Sequence, residues 1–254
     1  MTDIVEVRGV RIGEGIPKII VPIVEATRGE IVKKARSLAK VRKDIVEWRA
    51  DWFMEAPDHA AVEEVLRELR AALGDTPILF TFRTLKEGGE KAIDPQDYAA
   101  LNIEVAKSGF ADLIDIEVFT GDEIVKEIIR SARKEGVKTV GSSHDFDRTP
   151  EKDEIVGRLR KMQQMGADIP KIAVMPQNRK DVLTLLSATE EMKTLYADRP
   201  IITMSMSGTG LISRLCGEVF GSSCTFGAVG KVSAPGQMNA EDLDTVLELI
   251  HKSL

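Results

Sequence analysis

A (β/α)8 TIM barrel, closed at the bottom by an N-terminal β-hairpin, is the α/β fold that this 254-residue sequence predicts. Three observations predict it. Eight short β-rich runs alternate with eight charged, amphipathic stretches of helical period, the order that produces a parallel sheet covered by helices. The length fits the roughly 250 residues such a barrel takes as one unit. No linker, low-complexity tract or change of composition marks a second unit, so residues 1–254 are expected to form a single barrel domain. A doubly wound sheet is the competitor. It uses fewer strands and a glycine-rich turn after the first, and Val21-Pro-Ile-Val-Glu25 is not such a turn.

The elements follow in order. Residues 4–12 alternate around Arg8-Gly9 and read as the hairpin. Strands are expected at 19–22, 45–49, 78–83, 113–117, 139–144, 169–174, 201–206 and 224–229. Helices are expected near 29–41, 58–73, 95–108, 121–134, 150–165, 179–195, 210–219 and 240–252. Asp94-Pro95 and Thr149-Pro150 each set a capping side chain before a proline suited to the first helical turn. Gly74, Gly109 and Gly136 stand where helices should stop.

Composition narrows the function. The chain is 43% hydrophobic with a net charge of -6, and that hydrophobic content is ordinary for a globular protein and argues against disorder. No basic tract interleaves with aromatics, so nucleic acid is not an expected partner. No apolar run reaches the about 18 residues of a membrane helix, and Met1-Thr-Asp-Ile-Val-Glu6 lacks the basic and apolar regions of a signal peptide. Two cysteines, Cys216 and Cys224, make neither a disulfide framework nor a zinc set. Both are expected to be buried fillers, consistent with a reducing cytoplasm. Three histidines without an H-x-x-x-H pair argue against a histidine-built metal centre.

Strand parity carries the chemistry. Side chains alternate faces along a strand. Glu47 and Arg49 share a face, as do Thr81 and Arg83, Asp115 and Glu117, Ser142 and His144, and Lys171 and Ala173. Apolar residues hold the opposite faces. Barrel lumens are mostly filled by branched apolar side chains. Here the upper lumen would hold Arg49, Arg83 and Lys171 against Glu47, Asp115 and Glu117, late in the strands where barrels build active sites.

Lys171 lies in the middle of the apolar run Ala167–Val174. Burial disfavours an ammonium, so the residue needs a charge partner or must lose its proton. A neutral amine in a dry pocket attacks carbonyls to form a Schiff base. A lysine that snorkels, or a purely structural ion pair, is the alternative. Met204 with Met206, and Cys224 with Phe226, share strand faces; they either pack the core or flank an alicyclic substrate. Glu87 sits on the flexible turn Leu85–Glu90. Ser207-Gly-Thr-Gly210 has a composition that can cradle phosphate. Ser233-Ala-Pro-Gly-Gln237 suits a hinged lid, with Ser233 and Gln237 as donors. Arg214, early in the expected seventh helix, either points inward to bind a carboxylate bidentately or lies on the surface, and by itself the surface reading is the preferred one. His59 and His251 fall in expected helices and are taken as surface residues.

Taken together, these segments resemble the type I 3-dehydroquinate dehydratases, Schiff-base lyases of the shikimate pathway. The resemblance rests on Glu47-Trp-Arg49, Phe80-Thr-Phe-Arg-Thr84 with Lys86-Glu-Gly-Gly89, Asp115-Ile-Glu-Val118, Ser143-His-Asp-Phe146, Ile169–Pro176, Ile201–Ser207 and Ser233–Gln237, in that order and nearly end to end. It implies that Lys171 forms an imine with the C3 ketone of 3-dehydroquinate and that His144 is the general base and acid. It implies that Glu87 and Asp115 support the histidine and the site. Glu47, Arg49, Arg83 and Gln237 would bind hydroxyls or carboxylate, and Arg214 would be the main carboxylate-binding arginine, against its reading as a surface residue. Met204, Met206, Phe226, Ser233 and Ala234 would wall the pocket. The family implies no metal or organic cofactor, a cytoplasmic homodimer and a place in aromatic amino acid biosynthesis.

This chain departs from its relatives at Ser143, where the family commonly has Asn, and at Pro22 and Gly208, where some members have Ser and Lys. Two rivals remain. A class I aldolase would use the same lysine but break a C–C bond, take a phosphate at Ser207–Gly210 and leave Arg214 idle. A silent barrel would bind a small acid without turnover.

Overall fold

The structure, a computed structural model, describes residues 4–254. The start of the signal-peptide expectation, residues 1–3, lies outside the described residues. Two short strands, β1 (Val5–Val7) and β2 (Val10–Ile12), pair antiparallel as the hairpin. Arg8 and Gly9 turn it, both at positive φ. Eight parallel strands follow: β3 (Lys18–Ile23), β4 (Ile45–Arg49), β5 (Ile78–Thr81), β6 (Leu113–Glu117), β7 (Lys138–Asp145), β8 (Ile169–Val174), β9 (Ile202–Ser205) and β10 (Cys224–Ala228). A two-residue strand, β11 (Met238–Asn239), runs parallel along β10. The seam between β9 and β10 closes through a parallel bridge of Ile201 with Ser222 and the bond from Ser223 N–H to Ile201 O.

Helices cover the outside: α1 (Arg28–Ser37), α2 (His59–Leu73), α3 (Pro95–Lys107), α4 (Asp122–Lys134), α5 (Lys152–Gln164), α6 (Arg179–Glu191), the short α7 (Leu211–Leu215) and α8 (Gly217–Phe220), and α9 (Ala240–His251). Their caps are local. Thr27 and Glu30 form a capping box on α1. Asp94 accepts the Gln96 N–H ahead of Pro95, as expected. Thr149 does not cap its helix. Its hydroxyl donates to Met175 O instead, and α5 starts later, at Lys152. The helix expected over 210–219 is broken at Cys216, where ψ turns to 19°. Cys216 is also only partly buried, whereas Cys224 is buried.

Alternation along the strands builds two cores. Outward residues meet the helices, with Trp48 wholly buried edge-on to Phe80 and tilted against Phe53. Truncating such a side chain to alanine costs about 3–5 kcal/mol. Inward, Ile20, Ile45, Leu79, Leu113, Val140, Ile169, Ile202 and Cys224 supply one residue per strand and form a floor. Val5, Val7 and Ile12 of the hairpin pack beneath it. The bottom of the barrel is therefore plugged, and the polar residues two and four positions above the floor on β4 to β7, with Lys171 on β8, open only toward the top.

Candidate active site

Above the floor, the inward positions turn from apolar to ionic. Lys171, on β8, is 3% exposed, and its Nζ lies 3.0 Å from Oδ2 of Asp115 on β6. A charge partner is thus the escape from burial that this lysine takes. The Phe226 ring sits under it, 5.0 Å from Nζ to the ring centre. Asp115 is fully buried. Its other oxygen meets Arg83 Nη2 at 3.0 Å and the Ser142 hydroxyl at 2.5 Å. Burial pushes the Asp115 carboxyl up, but Arg83, Lys171 and the Ser142 hydroxyl outweigh it and hold it below the usual range.

Arg83, just past β5, also reaches Glu117 at 2.9 Å and Ser142 at 3.1 Å. Burial opposes its charge, yet Asp115, Glu117 and Glu87 hold the proton more firmly than in water. Glu117 is tied down further by the Thr84 N–H and hydroxyl. Glu47 accepts the Thr81 hydroxyl at 2.9 Å. Arg49 does not pair with the carboxylates that strand parity suggested. It grips Asp51 bidentately, at 2.8 Å and 2.8 Å.

His144, near the end of β7, faces Glu87 from the Leu85–Glu87 turn. Burial, and then the Arg83, Lys171 and Arg49 cations, hold its imidazole well below its ordinary value. Burial also pushes Glu87 up to about 8, with Glu117 and Asp115 adding to the push. An Nδ1–H donated to Glu87 leaves Nε2 with a free lone pair, the arrangement of a general base. Gly88 and Gly89 allow the approach: a Cβ on Gly88 would meet the Phe146 ring at 2.4 Å, and one on Gly89 the Arg83 carbonyl at 1.9 Å.

Arg214 is buried, which corrects its reading as a surface residue. It is 2% exposed in α7. Its Nη2 donates to Pro235 O at 3.1 Å and its Nη1 lies 3.6 Å from Met204 Sδ, while Nε has no partner. No carboxylate faces it among the described residues, and burial alone draws its pKa down to about 10. A buried guanidinium without an anion is a receptor for one.

A single chamber is lined by Glu47, Arg49, Arg83, His144, Lys171, Met204, Met206, Arg214, Phe226, Ser233, Ala234 and Gln237. Glu87 and Asp115 stand behind this wall, touching His144 and Lys171. Phe146 and Ala173 line it too and were not anticipated. Ala173 shares Lys171's strand face, so its signal was in the parity. The lid over the top is self-satisfied: Gln237 Nε2 donates to the Ser233 hydroxyl at 2.8 Å, and its Oε1 accepts the Ser233 N–H at 2.9 Å. The Ser207–Gly210 loop is occupied by its own fold. Ser207 N–H donates to Pro235 O and Gly210 N–H to Ser207 O. Among the described residues, no group of three or more His, Cys, Asp or Glu side chains is arranged to hold a metal ion.

Comparison with known proteins gives a consistent picture. A family model described as type I 3-dehydroquinase matches residues 19–254. The chain is 56% identical over 250 residues to the 3-dehydroquinate dehydratase of Clostridioides difficile (strain 630), covering 98% of each. It is 53% identical over 251 residues to that of Bacillus subtilis (strain 168), covering 99% of this chain and 98% of the relative. Among solved structures, the type I 3-dehydroquinate dehydratase from Clostridium difficile with covalently modified comenic acid superposes with a TM-score of 0.98, at 55% identity over the whole of both chains. The 3-dehydroquinate dehydratase from Geobacillus kaustophilus superposes at 0.95, with 37% identity and coverage of 98% and 97%.

Proposed function

The chain belongs to the type I 3-dehydroquinase family, and on that premise we propose a division of labour in which Lys171 carries the substrate as an imine and His144 moves its protons. The reaction is the dehydration of 3-dehydroquinate to 3-dehydroshikimate, a hydro-lyase step (EC 4.2.1.10) of the shikimate pathway.

Lys171, paired with Asp115 as an ammonium, first passes one proton to the neutral His144 imidazole, and the amine so freed adds to the C3 carbonyl. With one proton supplied, the carbinolamine oxygen leaves as water and a protonated C=N remains. That cation is an electron sink, so the C2–H beside it becomes acidic. His144 takes this proton through Nε2 and an enamine forms. The enamine electrons expel the C1 hydroxyl, which takes the proton back from His144 and departs as water. Water then adds to the conjugated imine, freeing the product and the amine. The net change is the loss of one water. An imidazole serves both transfers because it gains and loses a proton near neutral pH. Arg214 takes the substrate carboxylate. Glu47, Arg49, Arg83 and Gln237 bind its oxygens, and Met204, Met206, Phe226 and Ala234 flank the ring.

The observation that carries this reading is that Lys171 and His144 line the same chamber, with the anion-free Arg214. The aldolase alternative leaves Arg214 idle, and two of the four Ser207–Gly210 amides it would use for phosphate, those of Ser207 and Gly210, are engaged within the protein. Residues 1–254 are read as one catalytic barrel, in a cytoplasmic homodimer. Borohydride added with 3-dehydroquinate tests the mechanism. A covalent adduct on Lys171 by peptide mass is expected, and none with Lys171→Ala. Turnover without a trappable adduct would remove the imine. Light scattering on the eluting protein tests the dimer.

A further inference from the structure

One fully buried carboxylate takes no part in the steps above. Asp51 lies two residues past β4, in the turn Ala50–Trp52, and is 0% exposed. Its oxygens take Nε and Nη2 of Arg49 at 2.8 Å each. They also accept the N–H of Arg83 at 3.3 Å and of Glu90 at 3.2 Å. Its backbone carbonyl accepts Lys91 Nζ at 2.7 Å. A single residue thus joins the end of β4, the end of β5 and the loop that carries Glu87. With Nε and Nη2 of Arg49 held from behind, Nη1 turns to the lid, donating to Ser233 O at 3.3 Å.

We propose that Asp51 is a positioning residue for substrate binding. It locks the Arg49 guanidinium in one plane, so that the remaining face of the fork meets the substrate and the closed lid. The physical argument is the cost of the arrangement. A buried ion pair is often no more stabilising than apolar side chains of the same volume, so stability alone does not account for a charge here. A planar fork gripped at two nitrogens has no rotamer freedom left to lose when a ligand arrives. The inference rests on the reading of Arg49 as a substrate-binding residue.

Steady-state kinetics on the intact protein with 3-dehydroquinate test it, using Arg49→Gln, Asp51→Asn and the double variant. Arg49→Gln is expected to raise KM about tenfold with a smaller change in kcat. Asp51→Asn should raise KM by a similar factor, and the double variant should be no worse than Arg49→Gln alone, because Asp51 acts through Arg49. A purely structural carboxylate would lower the melting temperature and leave KM in place. An unchanged KM in Asp51→Asn, or a double variant whose KM is the product of the two single effects, overturns the proposal. An unchanged KM in Arg49→Gln overturns instead the reading of Arg49, and this inference with it. If Asp51→Asn does not fold, the double variant, with neither charge left, carries the comparison with Arg49→Gln. Failure of both Asp51 variants to fold assigns the residue to stability and also overturns the proposal.

Discussion

His144 meets one oxygen of Glu87 twice: its backbone N–H and its Nδ1 each lie 2.9 Å from Oε2. The ring is thereby held in register with its own backbone, and the two groups titrate in opposite senses. Glu87 is raised from 4.5 to about 8. Between those values the folded chain keeps a proton that the unfolded chain releases, so this contribution to stability is full below 4.5 and is lost as pH rises through about 8. His144 is lowered from 6.5. The unfolded chain then binds the extra proton, so its contribution is present above 6.5 and is lost as pH falls through the lowered value. The base form of the imidazole therefore persists into mild acid. The acid limb of the kcat/KM profile is expected below 6.5, and an alkaline inflection near 8 should vanish in Glu87→Gln. An acid limb at or above 6.5 would show that His144 is not the group being titrated.

Replacing the imidazole separates the two halves of the reaction. His144→Ala leaves Lys171 and Asp115 in place, so borohydride still traps an adduct, formed slowly. Elimination is expected to fall by about two orders of magnitude or more. Near-normal appearance of the conjugated enone absorbance would take the proton transfers away from His144.

How much of this was legible in the sequence depended on period. The strands at 45–49, 113–117 and 169–174 coincide with β4, β6 and β8 to the residue, because alternation of apolar and polar side chains sets both the face and the ends. The same alternation brought Glu47, Arg49, Asp115, His144 and Lys171 to one lumen. It failed where the period stops. Asp51 follows Arg49 at a spacing of two but lies in a 3-10 turn, so strand parity did not count it among the buried charges. Arg214 sits in a five-residue helix, too short for a periodicity to show which face is inward. The docking of the lid on Ser207 is a contact between distant loops, and no local pattern encodes it.

Asp115→Asn tests the ionic core. Asp115 is the shared partner of Arg83 and Lys171, at 3.0 Å from each. Asparagine keeps the shape and removes the charge, leaving two buried cations with one counter-charge fewer. Breaking a buried pair from one side costs about 3–5 kcal/mol. Urea unfolding at neutral pH should show a loss of that order. A loss under about 1 kcal/mol would mean that Glu117 and solvent already satisfy both cations.

Arg214→Met should act in the opposite direction on stability. Without ligand the guanidinium is buried with no carboxylate partner and an unbonded Nε. An apolar side chain of similar length relieves that desolvation, so the melting temperature is expected to hold or rise. KM for 3-dehydroquinate should rise by at least about tenfold, the order expected for losing a charge-assisted hydrogen bond. A fall in melting temperature with KM unchanged would make Arg214 a structural residue.

Gly236→Ala tests the lid. Gly236 has φ +78°, and a Cβ there would stand 2.2 Å from the Ser207 carbonyl oxygen. Ser207 is itself held at φ 57°, an uncommon conformation for a side chain of its kind, and its N–H donates to Pro235 O at 3.2 Å. Neither backbone can retreat without breaking that bond and the one from Arg214 to the same carbonyl. Alanine should therefore hold the lid off the chamber while leaving the barrel intact. Lids belong to the low-stability end of a fold, so global unfolding is expected to change by less than about 1 kcal/mol. Trypsin should cut faster after Lys231, just before the lid. kcat/KM should fall by about tenfold or more, because the Ser233 and Pro235 carbonyls that hold the Arg49 and Arg214 side chains would be drawn away from the chamber. Unchanged kcat/KM alongside faster cleavage would show that the chamber works with its top open.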